Sequence, residues 1–108
     1  MTRDILGSLE SEVLRAILRL VPNAYGVSIQ AEIAEQTGKS LSFGAIYTTL
    51  ERLQNKGFVL SHTGEITAKR GGRAKKLFAV SAAGQIALHQ SDRAIAAMKE
   101  GWEPEGAR

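Results

Sequence analysis

The sequence predicts a mainly α protein with one small β-hairpin: three helices, the hairpin, then a fourth helix. Three observations carry that prediction. Apolar residues recur at helical spacing in three early segments and one late one, two short β-like runs follow Gly57, and a basic, glycine-bearing stretch separates those runs. The 108 residues suit one domain, near the usual size of about 100–150. A 44% hydrophobic and 23% charged composition is that of a globular chain and argues against wholesale disorder.

The first helix is read from Leu6, Leu9, Val13, Ala16, Ile17 and Leu20, with Ser8 as its expected N-cap and Glu10 and Glu12 set against the helix dipole. Pro22 closes it, because proline drives the preceding residue out of the helical region. A second helix is expected from Tyr25 to Thr37, burying Ile29, Ile33 and Ala34 and ending at Gly38. The third opens at Ser42 as N-cap and ends at Gly57. Phe43, Ile46, Tyr47, Leu50 and Leu53 make its apolar face. At about 100° per residue, its opposite face collects Gly44, Ala45, Thr48, Arg52 and Asn55, flanked by Thr49 and Lys56. Phe58-Val59-Leu60 and Leu77-Phe78-Ala79-Val80 are the two strands of a hairpin whose tip holds Lys69-Arg70-Gly71-Gly72-Arg73-Ala74-Lys75-Lys76. The last helix runs from Ser81 to about Gly101, with one stripe of Ala83, Ala87, Ala94 and Ala97 beside another of Leu88, Ile95, Met98 and Trp102. Residues 103–108 are expected to fray.

Composition removes several functions. There is no cysteine, hence no disulfide, thiolate metal site or cysteine nucleophile. No apolar run approaches the ~18 residues that span a bilayer, and Asp4 and Glu10 do not suit a signal peptide, so a cytoplasmic protein is expected. His62 and His89 are the only histidines, and neither has a carboxylate pair or serine placed to make it catalytic. No metal or cofactor is expected, no glycine-rich loop follows a strand to open a helix, and an enzyme is not expected. The net charge of +3 is unevenly spread: from Lys39 to Lys76 eight basic residues face two acidic ones, a net +6, leaving −3 elsewhere. A block that positive suits a polyanionic partner, although a solvated surface explains it equally well by itself.

Three helices and a two-stranded hairpin are the layout of a winged helix-turn-helix, expected over residues 1–81, with residues 82–102 as a C-terminal dimerisation helix. In that fold the third helix enters the major groove of duplex DNA. The expected DNA contacts are Lys39, Ser42, Gly44, Ala45, Tyr47, Thr48, Thr49, Arg52 and Lys56, with Arg70, Arg73, Lys75 and Lys76 from the wing. Short side chains at the start of the helix admit base edges, and the basic residues meet phosphates. An RNA- or protein-binding winged helix without operator specificity remains the alternative.

Two segments also resemble a known family. Ser42-Phe43-Gly44-Ala45-Ile46-Tyr47-Thr48-Thr49-Leu50-Glu51-Arg52-Leu53 followed by Gly57-Phe58-Val59, and Gly72-Arg73-Ala74-Lys75-Lys76-Leu77-Phe78-Ala79-Val80-Ser81-Ala82-Ala83-Gly84, are similar to the signature of the PadR-like transcriptional regulators. The resemblance spans roughly residues 6 to 100. It implies a dimeric winged-helix repressor, with Tyr47 matching a tyrosine near the DNA backbone and Arg73 and Lys75 matching a basic wing. Leu77, Ser81 and Thr48 depart from the residues common at their positions, which bears on site preference more than on fold.

The large stripe of the last helix would leave an apolar patch on a monomer. A homodimer is therefore expected, built from Leu6, Leu9, Val13, Leu88, Ile95, Met98 and Trp102, binding a pseudo-palindromic operator with half-sites about one helical turn apart. Small regulators resembling this one bind flat aromatic effectors between their last helices. Trp102 and Met98 are the candidate contacts, although an aromatic that simply closes the dimer seam accounts for Trp102 as well.

Overall fold

The computed structural model describes residues 6–64 and 75–102. Helix α1 spans Ser8–Leu20, α2 Gly26–Thr37 and α3 Phe43–Asn55. Strands β1 (Val59–Thr63) and β2 (Lys76–Val80) follow, and α4 (Ala82–Lys99) ends the described chain. Four helices and an antiparallel two-stranded hairpin make up the expected winged helix.

Local chemistry explains most boundaries. The N-cap of α1 is Gly7 rather than Ser8, one residue earlier than expected, because the Glu10 carboxylate folds back and accepts from the Gly7 N–H at 2.9 Å. Val21, held before Pro22, is extended at ψ 139° and stops the helix. Tyr25 caps α2 instead of lying inside it, its N–H donating to Ser28 Oγ at 2.9 Å. Gly38 closes α2 in the left-handed region at φ 75°. Ser42 caps α3 as expected, accepting from the Ala45 N–H at 3.1 Å. Ser81 caps α4 in the same way and donates its own hydroxyl to the Gly57 carbonyl at 2.6 Å, tying α4 to the end of α3.

The core lies where α1, α2 and α3 meet and the hairpin packs beneath them. Val13, Ile17, Ile29, Ile46 and Leu53 are fully buried, with Phe78 and Val80 entering from β2. Leu14, outside the expected stripe of α1, is as deeply buried as Val13, because the helix is covered by α2 on one side and α3 on the other. Ala34 is exposed, contrary to expectation, since only Ile29 and Ile33 of α2 face inward along with Gly26. Phe43 and Tyr47 also depart from the expected apolar face: they are 44% and 49% exposed, while Ile46, Leu50 and Leu53, with Thr49 beside them, are the buried residues of α3.

Antiparallel pairing sets Val59 against Val80 and Thr63 against Lys76, and the Gly64 N–H donates to the Lys75 carbonyl at 2.6 Å to close the base of the wing. The Phe78 N–H reaches the Ala24 carbonyl at 2.8 Å, so β2 also docks on the α1–α2 connection. Gly84 lets α4 approach closely: a Cβ there would fall 2.8 Å from Val80 Cγ1 and 3.0 Å from the Phe58 carbonyl carbon. Asp92, paired with Arg15 of α1, is the last residue of α4 that is not fully exposed; every residue from Arg93 to Trp102 is exposed.

Candidate nucleic-acid interface

The outward face of α3 follows from its inward one. With Ile46, Leu50 and Leu53 in the core, Gly44, Tyr47, Thr48, Glu51, Arg52 and Asn55 are turned to solvent. Ser42 and Phe43 stand exposed at the leading end, and Ala45 is partly covered. The expected short-chained surface is therefore present at Ser42, Gly44, Ala45 and Thr48, with Arg52 further along the helix.

Thr49 is not part of it. It is 4% exposed and its hydroxyl proton is donated to the Ala45 carbonyl at 2.8 Å, so the side chain is turned away from the open face. The two lysines expected to meet phosphates are turned to acidic residues instead. Lys56 Nζ lies 3.0 Å from Glu10 Oε2, linking the end of α3 to the start of α1. Burial alone would raise the Glu10 carboxyl, but the Gly7 N–H, the Lys56 ammonium and the more distant Arg52 together bring it below its ordinary value. Lys39 Nζ lies 2.7 Å from Glu12 Oε2 on α1. Positive charge between Lys39 and Lys56 is thus partly neutralised within the chain.

At the wing's base, Lys75 Nζ rests 4.1 Å above the centroid of the Tyr25 ring, the residue that caps α2. Lys76 Nζ stands 5.7 Å from the Phe78 ring centroid. Neither lysine, nor Arg52, forms an ion pair among the described residues. Tyr47 leans from α3 onto the start of α2, its phenol ring against Gly26. The fold therefore brings Tyr47, Gly26, Tyr25 and Lys75 into one neighbourhood beside the α3 face. Sequence reasoning missed Tyr25 and Gly26; the only signal was a glycine at the start of an amphipathic helix, where a better helix former would be ordinary. Arg70 and Arg73, with Lys69, lie outside the described residues.

The expected dimer surface needs correction. Val13 is fully buried, and Leu6 and Leu88 are 6% and 5% exposed, so in the single chain all three belong to its own core rather than to an open face. Leu9 is half-buried against that core. Ile95, Met98 and Trp102 are 48%, 84% and 63% exposed, and Ile86, absent from the expected set, is equally open. A concavity of about 680 Å³ on α4 is lined by Gln85, Ile86, His89, Gln90, Arg93 and Ala94, and neither Met98 nor Trp102 contributes to it. No helix among the described residues is long and apolar enough to cross a membrane.

Several solved structures share this fold. A candidate transcriptional regulator of Thermoplasma acidophilum is 26% identical with a TM-score of 0.69, covering 85% of this chain and 87% of its own. A PadR-like transcriptional regulator of Bacillus cereus is 19% identical at TM-score 0.69, with 84% of each chain covered. PadR of Bacillus subtilis, in complex with operator DNA, is 20% identical at TM-score 0.64; 94% of this chain matches 54% of that one. Comparison with curated proteins gives no match. A model described as "Transcriptional regulator PadR-like family" matches residues 13–90, more than two thirds of the sequence and spanning α2, α3 and both strands. By that match, carried on the winged-helix body its structural neighbours share, the chain belongs to the PadR-like family of transcriptional regulators.

Proposed function

We propose that this chain is a sequence-specific, double-stranded DNA-binding transcriptional regulator of the cytoplasm. It acts as a homodimer on a pseudo-palindromic operator and represses until a small-molecule effector releases it. The observation that carries the reading is the exposed face of α3, where Gly44, Ala45 and Thr48 leave the backbone open and Tyr47 and Arg52 flank it. Such a face admits base edges without steric obstruction, and the cation of Lys75 beside α2 suits a phosphate on the same duplex. The operator complex of the Bacillus subtilis neighbour supports the same use of the fold.

The dimer reading is supported by α4. A helix exposed along its whole C-terminal part from Arg93 is marginal in water, and pairing with a second copy would cover Ile95, Met98 and Trp102. An aromatic effector would sit between the paired helices, with Trp102 as its stacking surface and Met98 beside it. Selection of bound duplexes from a random pool tests the central claim: a two-fold motif is expected. Equal affinity for random duplex and RNA would refute it. Quenching of the single tryptophan by planar aromatic cations tests the effector role, which fails if none alters the emission.

A further inference from the structure

The start of α2 holds a contact that charge and exposure alone do not disclose. Gly26 is 26 residues into the chain yet fully enclosed, and what encloses it is the Tyr47 side chain from α3. A Cβ at position 26 would fall 2.7 Å from Tyr47 Cζ and nearer still to the hydroxyl. Contacts under 3.0 Å are essentially never made by real Cβ atoms, so one of the two groups would have to move. Gly26 does not need its backbone freedom, because its φ is not positive and the residue is the first of a regular helix. What it supplies is the absence of a side chain.

That absence fixes where Tyr47 lies. The phenol crosses from α3 onto the first turn of α2, half-exposed, and among the described residues its hydroxyl has no hydrogen-bond partner. The preceding residue, Tyr25, carries the Lys75 ammonium on its ring at 4.1 Å. A cation and an unpartnered hydroxyl are thus stationed by two consecutive residues, which suits one stretch of phosphate backbone running past α2 and α3.

We propose that Gly26 is a positioning residue for DNA contact: by lacking a Cβ it seats the Tyr47 phenol on the start of α2, with its hydroxyl directed to a phosphate. The inference rests on the reading of this face as a duplex-binding surface. Because Tyr47 is half-exposed, an alanine at 26 displaces it toward solvent and leaves the core intact; the new methyl also suits a helical position better than glycine does.

The test uses the full chain and a fluorescein-labelled random-sequence duplex at low salt, where affinity reports phosphate contacts. Gly26→Ala, Tyr47→Ala and the double variant are compared by anisotropy, with thermal melting alongside. Gly26→Ala and Tyr47→Ala are each expected to weaken binding about tenfold, the scale of one charge-assisted hydrogen bond. The double variant is expected to bind no worse than Tyr47→Ala, because the glycine acts only through the tyrosine. Wild-type affinity for Gly26→Ala, or losses that multiply in the double variant, would overturn the inference. A purely structural role would lower the melting temperature of Gly26→Ala and leave the affinity of the folded protein unchanged. If Tyr47→Ala binds normally while Lys75→Ala is weakened, this inference fails and the duplex-binding reading stands; if the wild-type chain binds no duplex, both fall.

Discussion

Lys56→Met tests whether the lysine at the end of α3 serves the fold or a ligand. The substitution keeps much of the aliphatic stem and removes the ammonium that Glu10 holds at 3.0 Å. Glu10 then keeps a side chain only 8% exposed and a single remaining bond, from the Gly7 N–H. Stranding a charge in a fully enclosed pair costs about 3–5 kcal/mol, and an unsatisfied buried group about 1–3. The Lys56 side chain is 27% exposed and so partly solvated already, which points to the lower range, about 2 kcal/mol. For a domain of this size that corresponds to a fall of about 10 °C in Tm.

The pH dependence makes the assignment specific. In the folded wild type the Glu10 carboxyl titrates below its ordinary value of 4.5. Its contribution is therefore complete above 4.5 and disappears as pH falls through the lowered value. Without Lys56, its hydrogen bond and charge no longer offset burial, and the carboxyl takes up its proton at higher pH than in the wild type, relieving the stranded charge. Thermal melts followed by circular dichroism, at equal protein concentration, should show the full gap near about pH 7 and a narrower one near about pH 3. A gap that is absent at neutral pH, or unchanged by acid, would refute the structural role of the pair.

Other perturbations separate packing from recognition. Gly84→Ala drives a methyl against Val80 and the Phe58 carbonyl, and should cost about 1–3 kcal/mol in a urea titration, with m unchanged. Arg15→Ala breaks an ion pair to Asp92 whose side chains are 51% and 43% exposed, so a loss below about 1 kcal/mol is expected in the same assay. Lys75→Ala should weaken all duplexes alike and reduce the salt slope of binding by about 1, whereas Thr48→Ala should change preference among sequences. Met98→Glu, at a residue 84% exposed in the single chain, should shift the mass measured by light scattering from dimer toward monomer; an unchanged mass would remove this part of α4 from the interface.

The elements were legible in the sequence because each rests on local chemistry. The Ser42 cap, the Gly38 stop and the block at Val21-Pro22 act within four residues, and all are in place. Apart from one-residue shifts at the Gly7 and Tyr25 caps, errors came where a second element decides the outcome. Periodicity marks one stripe of α1, but α2 and α3 cover it from two sides, so Leu14 is buried as well as Val13. Phe43 and Tyr47 look apolar enough for the core, yet the inward arc of α3 is already filled by Ile46, Leu50 and Leu53.

The same distinction sorts the basic residues. Charge counting gives every lysine between 39 and 76 equal weight, but a lysine's use depends on which acid stands opposite in space. Lys39 and Lys56 face Glu12 and Glu10, both on α1 and distant in sequence, so part of the positive block stabilises the helix bundle. Lys75 instead rests on an aromatic ring, where its charge is directed but not cancelled. A cation on a ring keeps its attraction for an anion, while one held in an ion pair must first leave its partner, at little cost for exposed Lys39 and more for the part-buried Lys56. The surface available to a polyanion is therefore narrower than the charge map suggests, and it centres on the exposed face of α3 and the base of the wing rather than on the whole segment from Lys39 to Lys76.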